Sequence, residues 1–262
     1  MIALAPTDFR GRDLRITFRP RNFAFITILP AGDGDVAENN GARFYDQAVP
    51  SPFKSQLYVH YANHNFFNRQ WLNDDHNNRD TGPPVMARWD HERVLAVYGC
   101  AFFRRVLLNH SALERFLSGY EKPSSVFTDN IHLSFEKAEQ ITVDNHQEAN
   151  GIGLNSLGQI TSQSGGLSAD EFPFRQDAGA YNASFYGNSI GMVARRGGVS
   201  RQFRSEIGSR DLRQKEIWIR VSEVSERDLP PDATGFQLGL EDSAGNVAWV
   251  DSDEVSSLTK LC

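Results

Sequence analysis

The run Phe23-Ala24-Phe25-Ile26-Thr27-Ile28-Leu29 is apolar almost without interruption, and Pro30-Ala31-Gly32-Asp33-Gly34-Asp35 stops it at once. A strand with one face in water alternates apolar and polar residues, whereas a continuous apolar run needs cover on both faces, as in a parallel sheet. Met1-Ile2-Ala3-Leu4-Ala5, stopped by Pro6, reads the same way, and Gln56-Leu57-Tyr58-Val59-His60-Tyr61 makes a third strand. Between them residues 39–48 carry a weak helical pattern with Phe44 and Tyr45. After a polar, Asn- and Asp-rich loop over residues 73–84, a strong amphipathic pattern runs over residues 90–108. It places Val94, Leu95, Val97, Tyr98, Ala101, Phe102 and Leu108 on one broad side. Strands and helices in alternation with a shared apolar demand predict an α/β arrangement.

The pattern changes after Gly119-Tyr120-Glu121-Lys122-Pro123-Ser124-Ser125, which sets the expected boundary between a front domain, 1–120, and a rear domain, 121–262. Behind it come short runs separated by Gly, Ser, Asn and Asp. Residues 217–221 and 236–240 read as strands, and Asp242-Ser243-Ala244-Gly245-Asn246 reads as a hairpin turn into residues 247–250. Strands at this spacing predict an all-β antiparallel sandwich, jelly-roll-like in kind.

At 262 residues, with 40% hydrophobic and 11% aromatic content, the chain can build a packed core. A net charge of -6 argues against nucleic acid as a partner, and Arg10, Arg12, Arg15, Arg19 and Arg21 read as a solvated loop. Two cysteines, Cys100 and Cys262, make no disulfide framework. No stretch approaches the roughly 20 apolar residues of a membrane span, and the first residues lack the charged front of a secretion signal. No cofactor or metal is expected: His60 and His64 spell H-x-x-x-H, but Tyr61 stands where a zinc-site glutamate would follow the first histidine.

The chemistry-bearing residues lie where the apolar runs end. Asp33 and Asp35 follow the second run, and His64 follows the third, in Ala62-Asn63-His64-Asn65-Phe66-Phe67-Asn68. An acid and then a base, each at a strand terminus, are two parts of a Ser-His-Asp apparatus. The plainer readings are a tight Asp-Gly-Asp turn and a histidine capping a loop. A nucleophile in G-x-S-x-G should precede the acid, yet no serine or cysteine lies ahead of Asp33. Gly187-Asn188-Ser189-Ile190-Gly191 spells the motif behind both partners and continues as a strand, which disfavours Ser189 as a nucleophile.

Ile28-Leu29-Pro30-Ala31-Gly32-Asp33-Gly34-Asp35-Val36, Gly41-Ala42-Arg43-Phe44-Tyr45-Asp46 and Ala62-Asn63-His64-Asn65-Phe66-Phe67-Asn68, in that order, resemble the acid and histidine segments of bacterial α/β-hydrolase esterases. These include chlorophyllase-like, lipase-like and polyester-hydrolase proteins. Ala3-Leu4-Ala5-Pro6-Thr7-Asp8 resembles the sixth strand of that sheet. The rear half, through Ile141-Thr142-Val143-Asp144-Asn145, Asn155-Ser156-Leu157-Gly158 and the turn at Asp242, resembles the sandwich that follows the hydrolase in some of these proteins and looks like a carbohydrate-binding module.

The resemblance implies the C-terminal strands and helices of an α/β-hydrolase sheet, with Asp33 as acid, Asp35 as alternative and His64 as base. Asp33 is preferred because the family's acid is followed by two residues and an apolar one, here Val36. It implies a serine ester hydrolase fragment without its nucleophile elbow, an ester substrate for the complete enzyme, which is secreted or periplasmic, and a complementing N-terminal hydrolase fragment. The alternative is a non-catalytic carbohydrate-binding or adhesion module with a vestigial hydrolase segment. Asn63, Asn65, Phe66, Phe67 and Trp71 are substrate-pocket candidates. In the rear, Trp249 and Tyr186 are candidates for stacking on a glycan, as are Tyr181 and Trp218 with packing the better reading for Trp218. Strands built for neighbours on both sides predict an open sheet edge and a front domain that packs poorly unless a partner covers it.

Overall fold

The computed structural model describes residues 1–7, 20–36, 41, 44–45, 48–76, 85–126, 131–144, 146, 151–173, 190–195, 201–213, 215–219 and 236–251. The chain divides into two compact units, Met1–Ile207 and Gly208–Cys262.

The first unit is built on a four-stranded sheet in the order β1 (Ile2–Leu4), β2 (Phe25–Pro30), β3 (Phe53–Val59), β4 (Ile131–Lys137). The first three strands are parallel, with Ile2 opposite Ile26 and Phe25 opposite Lys54, and β4 runs antiparallel to β3, with Val59 opposite Ile131. Every residue of β2 is buried, which is what its continuous apolar run demands. β4 lies beyond the boundary expected at residue 120, yet it belongs to this sheet, so the front fold extends past that point.

The two faces differ in chemistry. One carries Ile26, Ile28, Phe53, Leu57, Val59, Ile131 and Phe135 against α1 (Arg88–Leu107), which supplies Val94, Tyr98, Ala101 and Phe102. Phe53 sits edge-on to Phe102 and stacks on Phe135. The other face carries Phe25 with Tyr45 and Ala48, and then turns polar. There Lys54 is paired with Glu136 directly across the β3–β4 ladder at 3.1 Å and donates to the Tyr45 carbonyl at 3.0 Å. Among the described residues the buried Thr27 Oγ1, Gln56 Oε1 and His132 Nδ1 have no hydrogen-bond partner. The His60 and His132 rings meet edge to face at 4.9 Å, and burial pushes His132 down to about 4.

α1 begins with Asp90 in its first turn and ends with Arg104 and Arg105 in its last, as its dipole favours. A 3-10 turn (Ser111–Leu113) leads into α2 (Glu114–Leu117), where Glu114 pairs with both Arg105 and Lys137. The Ser55 hydroxyl donates to the Leu117 carbonyl at 2.7 Å, fixing α2 to the centre of β3. Of the weak helix expected over 39–48, Phe44 and Tyr45 form a helical turn, and most of the rest lies outside the described residues.

Behind this sheet the pairing is antiparallel, as expected, but it takes the form of two-stranded ladders among the described residues instead of the larger sheets of a sandwich. β5 (Thr161–Ser164) pairs with β8 (Gln202–Ser205), and β6 (Ser168–Pro173) with β7 (Ile190–Arg195). In the second unit β9 (Gln237–Glu241) pairs with β10 (Val247–Asp251) around the expected turn, where Asp242 Oδ1 accepts from the Ala244 and Asn246 amides. Of the strand expected over residues 217–221, residues 217–219 are not in a strand, and 220–221 lie outside the described residues.

Candidate functional site

β3 ends at Val59, two residues short of the expected limit, and Tyr61 takes a left-handed conformation (φ 59°) that turns the chain back. The turn brings the Ala62 carbonyl to the Gly32 amide at 2.8 Å, while the Ala31 amide bonds the Val59 carbonyl at 3.0 Å. The segments that leave β2 and β3 are thereby fastened side by side at the same end of the parallel sheet. Asp33 comes from one and His64 from the other.

Asp33 is nearly buried, and its two carboxylate oxygens are divided between two tasks. Oδ1 accepts from the amides of Asp35 at 2.9 Å and Val36 at 2.6 Å, while Oδ2 accepts from His64 Nδ1 at 2.9 Å. A carboxylate only accepts, so Nδ1 carries the proton and Nε2 is left as the basic nitrogen. The hydrogen bond to Asp33 raises the His64 pKa above its ordinary 6.5, reinforced by the charges of Asp33, Asp35 and Asp75 and opposed by burial. Of the two aspartates the sequence offers, Asp33 is the hydrogen-bonded one. Asp35 is largely exposed, with Oδ2 3.9 Å from His64 Nε2, beyond hydrogen-bond reach.

A third segment, residues 73–76, holds this pair from outside. Asn63 Nδ2 donates to Asp74 Oδ1 at 2.7 Å, the Asn65 amide donates to Asp75 Oδ1 at 3.0 Å, and Asn65 Nδ2 donates to the Asn73 carbonyl at 3.1 Å. Asp75 and His76 lie so close over the acid turn that a Cβ on Gly34 would meet the Asp75 carbonyl, and one on Gly32 the His76 ring. The glycines of Gly32-Asp33-Gly34 are needed for this approach.

The other expected residues divide by environment. Asn63 is fully buried and structural in its contacts, with Oδ1 accepting from the Phe66 amide at 2.9 Å. Phe67 turns into the core, and Phe66 is half-buried beneath the Arg88 guanidinium at 4.5 Å. Trp71 alone of the aromatic candidates lies on His64, its ring stacked at 5.7 Å and half exposed. Trp249 is exposed, and its ring sits close enough to Gly239 of the facing strand that a Cβ there would meet it. Trp218 is 44% exposed rather than packed in a core. Ser189, Tyr181 and Tyr186 lie outside the described residues. Among the described residues no group of three or more His, Cys, Asp or Glu side chains gathers as a metal site, and no helix is long and apolar enough to cross a membrane.

Sequence reasoning passes over Asp74, Asp75 and His91. The first two sit in a stretch that reads only as polar loop, and His91 reads as one more position of an amphipathic helix. Compared with models of known protein families, with curated proteins and with solved structures, the chain gives no match.

Proposed function

We propose that the chain carries the proton-transfer half of a serine ester hydrolase, with Asp33 orienting His64 and the nucleophile supplied from outside the chain. The observation that carries this reading is the Asp33–His64 bond of 2.9 Å between segments leaving adjacent parallel strands. A serine hydroxyl brought to Nε2 would give up its proton there as it attacks an ester carbonyl, and Asp33 would stabilise the imidazolium so formed. The open side of β1 supports a complementing fragment: among the described residues β1 pairs only with β2, so a further parallel strand has a ladder to join.

Alone, the chain should neither hydrolyse p-nitrophenyl butyrate nor be labelled by a fluorophosphonate. Labelling that disappears with Ser189→Ala would place the nucleophile in this chain and overturn the reading. The DNA ahead of the Met1 codon is a second test. A G-x-S-x-G sequence there, in frame or in a neighbouring reading frame, is the expected result.

One observation favours a second reading. Trp249 carries a half-exposed indole ring on a two-stranded ladder, an aromatic surface of the kind on which a sugar ring can stack. Binding to a glycan array that is lost with Trp249→Ala would favour a binding module.

A further inference from the structure

We infer that His91, on the first turn of α1, is a positioning residue that holds the His64 segment through a hydrogen bond only a neutral imidazole can make. This rests on the reading of Asp33 and His64 as a proton-transfer pair. His91 is fully buried. Its Nδ1 is 3.0 Å from the Ala87 carbonyl and its Nε2 is 3.0 Å from the Asn63 amide nitrogen. A carbonyl can only accept and an amide N–H can only donate, so Nδ1 must carry the proton and Nε2 must offer its lone pair. Phe66 and Phe67 close the ring in edge-to-face contacts at 5.5 and 4.9 Å.

The bond reaches the backbone of the residue next to His64. Asn63 is thus held three ways: its amide by His91, its side-chain NH₂ by Asp74, and its side-chain oxygen by the Phe66 amide. These contacts set where the backbone enters the 3-10 turn (Asn65–Phe67) that His64 caps, and hence where the imidazole meets Asp33. A proton on His91 Nε2 would set N–H against N–H and break the first of the three. Burial opposes that proton, and the charges facing the ring, Asp90 and Asp74 against Arg88, do not reverse the effect.

The test is ¹⁵N NMR of the histidine rings in the full chain. In the wild type His91 should show one tautomer, protonated at Nδ1, down to a pH at which free imidazole is already charged. A protonated Nε2, or titration near pH 6.5, would overturn the proposal without touching the Asp33–His64 reading. In His91→Phe, which keeps an aromatic ring but no acceptor, the raised pKa of His64 should fall back toward 6.5, and His91→Gln, which can accept from Asn63, should restore it. An unchanged His64 titration in a folded His91→Phe variant also overturns it. If that variant does not fold, the wild-type tautomer decides. A wild-type His64 with no raised pKa would count against the acid–histidine pair itself, leaving the His91 measurement interpretable.

Discussion

Asp33 works through two oxygens with different partners, so its replacement separates two effects. In Asp33→Asn the side-chain oxygen can still accept from the Asp35 and Val36 amides, but the charge beside His64 is gone. The His64 pKa should then drop from its raised value to 6.5 or below, because the hydrogen bond that raises it is the largest contribution and burial remains to lower it. A ring-proton titration by NMR reads this directly, and an unmoved midpoint would mean that Asp33 does not set the basicity of His64. Gly34→Ala tests the support from outside. Its new methyl would meet backbone rather than a flexible side chain, so residues 73–76 must shift. A loss of about 1–3 kcal/mol, typical of overpacking, is expected in denaturant unfolding. The Asn65–Asp75 bond should loosen with it. These residues also show what a sequence conceals. Asp33 and His64 stand out because each follows an apolar run, whereas Asp75 is legible only once its loop is seen against Gly34.

At the scale of elements, the strands announce themselves where burial dictates composition. β2 is apolar at consecutive positions because both its faces are covered, and the Asp242 turn is spelled by residues that make their own backbone hydrogen bonds. Partner choice is not local. Ile131-His132-Leu133-Ser134-Phe135-Glu136-Lys137 alternates as an antiparallel strand should, yet nothing in it names β3, some seventy positions earlier, as its neighbour. Ile217-Trp218-Ile219 has strand composition, yet these three residues are not in a strand, so composition alone does not decide the outcome. The Lys54–Glu136 pair is the specific mark of the β3–β4 register. Lys54→Met should destabilise the first unit by about 1–3 kcal/mol, since it removes the buried ammonium that pairs with Glu136 across the ladder. Adding Glu136→Leu should recover most of that loss, as apolar replacements of buried pairs do. Chemical unfolding of the single and double variants checks both, and equal losses in the two would deny the pair its role.

For the whole molecule, four histidines pull stability in opposite directions with pH. His64 has a raised pKa, so its contribution is fully present below 6.5 and is lost as pH rises through its folded value. His60, His91 and His132 are lowered, chiefly by burial, so the unfolded chain takes up their protons near pH 6.5 while the native rings stay neutral, His132 until about 4. Below pH 6.5 His64 is protonated in both states and adds no slope, so the three protons bound preferentially by the unfolded state act unopposed by it. The melting temperature of the first unit should therefore fall between pH 6.5 and 4. The ceiling is about 1.4 kcal/mol per pH unit for each proton, reduced for His60 and His132 because both keep contact with water. His132→Phe removes one of these protons together with a buried nitrogen that has no hydrogen-bond partner among the described residues. It should flatten the acid limb, while His64→Gln should leave that limb unchanged and act only above pH 6.5, where the contribution of the raised pKa is otherwise lost. Thermal melts at constant ionic strength across this window test the scheme, and a limb that keeps its slope in His132→Phe would mean that other groups control the acid stability of the fold.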